Sequence, residues 1–67
     1  MTDEATITLV AGQYEALDGV HCGVSKFGQV TVAGDVTTLE DGQSHVFART
    51  HIEVSRSEEE YAFKAAN

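Results

Sequence analysis

The chain has 67 residues, with eleven acidic against four basic side chains, a formal charge of −7 and 42% hydrophobic residues. This length holds one domain and no second core, the hydrophobic share argues against disorder, and the charge disfavours nonspecific contact with phosphate backbones. One cysteine, Cys22, excludes an intramolecular disulfide and suits a reducing compartment, while the acidic start Met1-Thr2-Asp3-Glu4 lacks the basic residues of a signal peptide. No apolar run approaches a membrane span, so a cytoplasmic protein is expected.

Residues 5–11 alternate with period two. Ala5, Ile7, Leu9 and Ala11 point one way, and Thr6, Thr8 and Val10 the other, which predicts a half-buried strand. Gly12 to Gly19 then reads as a compact turn, because its bracketing glycines tolerate positive φ or close backbone approach. Residues 20–25 return to alternation with Val20, Cys22 and Val24 inward, and Gly23 on the outward face suggests a bulge. Lys26-Phe27-Gly28 forms a short loop, and Gln29 to Ala33 a third strand carrying Val30 and Val32.

Val36 to Glu40, Asp41-Gly42 and Gln43 to Arg49 predict a two-residue hairpin, since Asp-Gly suits the positive φ angles of such a turn. Glu40 is then opposite Gln43, Thr38 opposite His45, and Val36 opposite Phe47. A turn at Thr50-His51 leads to a last short strand, Ile52-Glu53-Val54. The tail predicts a helix over residues 57–67: Ser57 and Glu60 have capping-box spacing, three acids favour the positive end of the helix dipole, and Glu60 can pair with Lys64. The expected core is Ile7, Leu9, Leu17, Val20, Cys22, Val24, Val30, Val32, Phe47, Ile52 and Val54.

No pattern points to a catalytic centre, cofactor or metal. His21 and Cys22 are strand neighbours that face opposite ways, and neither Cys-x-x-Cys nor His-x-x-x-His occurs among His21, His45, His51 and Cys22. Cys22 lies within an apolar alternation, where burial raises a thiol's pKa and makes it inert. The run Glu58-Glu59-Glu60 fits a solvated helix start. No enzyme is expected.

The segment Gly12–Gly19 resembles the KOW motif of small SH3-like barrels, through Gly12, Tyr14, Leu17 and Gly19, with Asp18 where an acid is common. The resemblance covers about a third of the chain and implies an RNA- or ribosome-associated module. Glu15 stands where that family often carries Lys or Arg, and Ala16 replaces a glycine; a carboxylate at Glu15 repels an RNA backbone.

Together these readings predict an all-β chain: a small antiparallel SH3-like barrel of about five strands over residues 1–56, closed by the helical segment 57–67. The expected function is a small acidic, non-enzymatic protein-interaction module, such as a regulator, phage-type inhibitor or DNA mimic acting on a nucleic-acid-processing complex. It would offer Tyr14, Glu15, Phe27, Asp41, Glu58 and Glu59 to a protein partner with a basic surface, as a monomer or small homo-oligomer. Solubility and a salty cytoplasm are competing explanations of the charge. The alternative is a KOW-type module of a halophilic cytoplasm that binds RNA through Lys26, Arg49 and Arg56.

Overall fold

The computed structural model describes residues 6–65. The chain is all-β, with eight strands: β1 Thr6–Leu9, β2 Tyr14–Leu17, β3 Val20–Val24, β4 Gln29–Val32, β5 Asp35–Thr38, β6 Ser44–Phe47, β7 Ile52–Ser57 and β8 Glu60–Ala65. They form two antiparallel four-stranded sheets, in the orders β2-β3-β4-β5 and β1-β8-β7-β6. One apolar cluster joins them, built from Leu9, Leu17, Cys22, Val24, Val30, Val32, Leu39, Phe47, Ile52, Val54, Tyr61, Phe63 and Ala65. Ile7 and Val20 pack at its margin. No helix of the described residues is long and apolar enough to cross a membrane.

Three expectations are corrected. First, the tail is not a helix. Ser57-Glu58-Glu59-Glu60 is a hairpin turn with Glu58 at φ 57°, and β8 follows it. Tyr61, Phe63 and Ala65 alternate with exposed or half-buried neighbours, and β8 pairs on both sides, with β7 and β1. Pairing on two edges satisfies the backbone and buries three apolar side chains, which outweighs the capping pattern of a short, marginal helix. Through Ala65 the segment therefore supplies an inner strand of the same core, and the last two residues of the expected helix, 66 and 67, lie outside the described residues.

Second, Asp41-Gly42 does not close a hairpin. Gln43 N does donate to Glu40 O, at 2.9 Å, but β5 pairs with β4 and β6 pairs with β7, so the turn carries the chain from one sheet to the other. Third, no closed barrel of about five strands forms among the described residues; two sheets with open edges enclose the core. One of the additional strands is β2, which occupies the interior of the segment expected to be a turn. Its hairpin turn is Asp18-Gly19, both at positive φ, joining Leu17 to Val20.

The architecture is a duplication. Thr8-Leu9-Val10-Ala11-Gly12-Gln13 recurs thirty positions later as Thr38-Leu39-Glu40-Asp41-Gly42-Gln43. The hydrogen bonds recur with it. Gln13 N donates to Val10 O, and Val10 N to Gln13 Oε1; Gln43 N donates to Glu40 O, and Glu40 N to Gln43 Oε1. Gly12 N donates to Val24 O while Val24 N donates to Gln13 O, and Gly42 and Gln43 bond Arg56 in the same way. This is a bulge with glycine in the left-handed region at its first position, φ 89° at Gly12 and 84° at Gly42, which is why the glycine is repeated. Leu9 and Leu39, just before the two turns, are both buried.

Each half, β1–β4 and β5–β8, thus repeats one plan. In each, the leading strand leaves its own half and completes the other half's sheet: β5 adds to β4, and β1 adds to β8. The β2–β3 turn is Asp18-Gly19, whereas the corresponding β6–β7 connection runs from Ala48 to His51. Val20, Cys22 and Val24 consequently correspond to Ile52, Val54 and Arg56.

Candidate functional site

Because the two halves share a plan, each serves as a reference for the other, and the differences mark where a special surface is built. Four turns meet at one pole of the molecule. They are the two bulged turns, Val10–Gln13 and Glu40–Gln43, and the tips of the β3–β4 and β7–β8 hairpins. At corresponding places the first half carries Val10, Ala11, Lys26 and Phe27, and the second carries Glu40, Asp41, Glu58 and Glu59. All eight are exposed.

Arg56 holds the acidic side of this pole together. Its Nε donates to Glu58 O at 2.7 Å, its Nη1 donates to Leu39 O at 2.8 Å, and its guanidinium lies 5.5 Å from the centre of the Tyr61 ring. Glu58 N donates to Asp41 Oδ1 at 2.8 Å, fastening the two acidic turns to each other. The first half has Val24 where Arg56 stands, so the arginine accompanies the acids. By bonding a backbone carbonyl at each acidic turn, this half-buried arginine holds the two turns together, and its positive charge offsets part of the mutual repulsion of their carboxylates.

Between the two sides of the pole runs a groove of about 420 Å³ lined by Val10, Ala11, Lys26, Gly28, Arg56, Glu59 and Tyr61. Phe27 projects beside it, 91% exposed at the tip of the β3–β4 hairpin. Ser25 Oγ accepts from Phe27 N and Gln29 N, which fixes that tip.

The second special surface is the outer face of sheet β2-β3-β4-β5. Tyr14, Gly23, Thr31 and Val36 lie in one row across it, strand by strand. Tyr14 is not in a loop but opens β2, and its ring lies across Gly23: a Cβ there would fall inside the ring. Gly23 therefore marks a close approach, not a bulge. Tyr14 stays 64% exposed and Val36 57% exposed. A shallow groove of about 290 Å³, lined by Tyr14, Glu15, Ala16, His21, Cys22, Thr31 and Gly34, borders the row. The corresponding row on the other sheet is Ser44, Ser55, Ala62 and Thr8, with no aromatic and no glycine.

Of the six residues expected to meet a protein partner, Phe27, Asp41, Glu58 and Glu59 come together at the pole. Tyr14 and Glu15 lie on the first strand leading away from it. The sequence reading missed Glu40, Val10 and Ala11, although the thirty-residue repeat of Leu-x-x-Gly-Gln was available to find them. The three basic residues do not share one surface. Lys26 and Arg56 line the polar groove, but Arg49 is near the opposite end, where it bonds Asp35 Oδ2 at 3.1 Å and Ala33 O at 2.7 Å. That contact ties the β6–β7 turn to the β4–β5 turn of the other sheet.

His21 is exposed on the outer face and Cys22 is buried behind it. Burial pushes the Cys22 thiol above its ordinary value, and a smaller opposing pull comes from a backbone hydrogen bond at Leu17. His45 lies edge-on to Phe47 with ring centres 4.8 Å apart. Among the described residues no three His, Cys, Asp or Glu side chains gather where they could hold a metal ion. Comparison with protein-family models, curated proteins and solved structures finds no match.

Proposed function

We propose that this chain is a small acidic, non-enzymatic protein-interaction module whose working surface is the four-turn pole, and whose partner presents a basic surface there. One observation carries the reading: at corresponding turn positions of the duplicated fold, one half has Val10, Ala11, Lys26 and Phe27 and the other Glu40, Asp41, Glu58 and Glu59. The bulged turns need their glycine, glutamine and preceding leucine in both copies, and Leu9, Gly12 and Gln13 recur as Leu39, Gly42 and Gln43. The exposed turn residues are free of that requirement. Their division into an apolar side with an unshielded aromatic and an Arg56-clamped acidic side suits recognition of a partner by charge at the rim and an apolar anchor beside it.

The small all-β fold is compatible with a barrel-like interaction domain, and a regulator or accessory subunit of a nucleic-acid-processing complex would meet a basic partner. Direct RNA binding has weaker support in the geometry, because Arg49 is separated from Lys26 and Arg56 and two carbonyls already occupy the Arg56 guanidinium. The test is affinity capture from host extract with and without nuclease. A protein that survives nuclease and is released by salt is the expected result. Recovery of RNA that disappears on nuclease treatment would replace this reading with the nucleic-acid one.

A further inference from the structure

The duplication also exposes a difference between sheet edges. An edge strand offers unpaired backbone groups to any other strand, and proteins guard such edges with charged residues, inward-pointing ones included. Edge strand β2 carries Glu15, on the core-facing side of its alternation with Leu17 yet exposed. Edge strand β5 begins at Asp35. The counterpart of β2 in the second half is β6, Ser44-His45-Val46-Phe47, which has no charged residue, no proline and no glycine, and has His45 at the place of Glu15. Val46 is 54% exposed on its outer side. The remaining edge among the described residues, β1, is also uncharged, but it presents only threonines outward, where β6 presents Val46.

The direction of the free groups in β6 follows from its ladder. Arg56 N donates to Gln43 O, and antiparallel pairing alternates from there. His45 and Phe47 thus turn their N–H and C=O toward β7, and Ser44 and Val46 turn theirs to the open edge. An antiparallel pair between two copies of one strand must be centred on a residue, or inward side chains would meet outward ones. Centring on Val46 pairs the outward backbone groups of both copies, sets valine against valine on the outer face, and sets His45 against the partner copy's phenylalanine on the inner face.

We propose that β6 is a self-pairing edge: two copies of this chain join antiparallel through Ser44–Phe47, centred on Val46, and fuse their β1-β8-β7-β6 sheets into one. The occupant is a second copy because the strand complements itself in this register and brings no like charges face to face, in a molecule of charge −7 whose edges β2 and β5 each carry an acid. A four-residue strand pair covers far less than a standard interface, so the dimer is weak and dependent on concentration. The inference is independent of the pole.

Val46→Cys tests the register, with Ala16→Cys at the corresponding position of β2 as the internal control; both sites are exposed, and far-UV circular dichroism checks the fold. Paired strands hold opposed Cα atoms within disulfide reach. Mild oxidation should link the Val46→Cys variant into a dimer through its two introduced thiols and leave Ala16→Cys largely monomeric. In sedimentation equilibrium the unaltered chain should dimerise as it is concentrated toward millimolar, and Val46→Lys should lose the dimer. Equal cross-linking of the two cysteine variants, or an unaltered chain that stays monomeric over that range, would overturn the proposal.

Discussion

The two halves of this chain share one backbone plan and use their side chains differently. The first half fills the core with small residues (Leu17, Cys22, Val24, Val30, Val32), whereas the second contributes Phe47, Ile52, Tyr61 and Phe63. On the surface the relation changes. The first half exposes Tyr14 and Phe27, while at the turns corresponding to the Phe27 tip the second exposes carboxylates. Stability and recognition are thus divided between copies of one motif: the second half holds more of the fold's buried volume, and the first displays its unshielded aromatic groups.

That division breaks most visibly in the core. Phe63 is fully buried, and its counterpart through the ladders is Val32, since Cys22 pairs with Val32 as Val54 pairs with Phe63. Phe63→Ala should cost about 3–5 kcal/mol, enough to unfold most of a domain this small, whereas Val32→Ala should cost roughly half as much. Urea denaturation measures both, and similar losses would contradict the uneven core.

The seat of Tyr14 is the next largest contrast. Gly23→Ala forces the ring off the sheet and should destabilise by about 1–3 kcal/mol through overpacking, whereas Ser55→Ala at the corresponding place should change little. A shift of the Tyr14 ring resonances in the Gly23 variant would show the cause. The bulged turns should behave alike. Gly12→Ala and Gly42→Ala each place a side chain at positive φ with no close neighbour, so each should cost about 1–2 kcal/mol, and a large difference between them would weaken the equivalence of the halves.

The smallest effect concerns Cys22. A thiol raised by burial in the fold stabilises it fully below the unfolded thiol's pKa of about 8.5, and that contribution is lost as pH rises toward the folded value. Stability should therefore fall on the alkaline side of about pH 8.5. Cys22→Val, which installs the second half's residue, should remove that part of the fall.

Much of the fold was legible in the sequence because period-two alternation is a local signal. It placed β1, β3, β4, β6 and the first half of β7, and nine of the buried residues were expected, from Leu9 to Val54. What was missed required non-local information. Ser57-x-x-Glu60 has the local chemistry of a helix start, and only pairing with β1 and β7 makes Tyr61, Phe63 and Ala65 a strand. Asp41-Gly42 has hairpin chemistry, yet the same positive-φ glycine serves a bulge between sheets. Phe27, Asp41, Glu58 and Glu59 were legible as exposed residues, but the meeting of the two acidic turns rests on contacts between residues seventeen apart, Arg56 to Leu39 O and Glu58 N to Asp41 Oδ1.

The most direct test of the pole compares partner capture by three proteins of matched fold. One is the unaltered chain; one reverses the pole with Glu58→Lys and Glu59→Lys; and one applies equal charge reversal away from it, with Asp18→Lys and Glu53→Lys. The pole variant should lose the nuclease-resistant partner, and the distant variant should retain it. Equal loss in both would show that only total charge matters and would contradict the pole as the working surface.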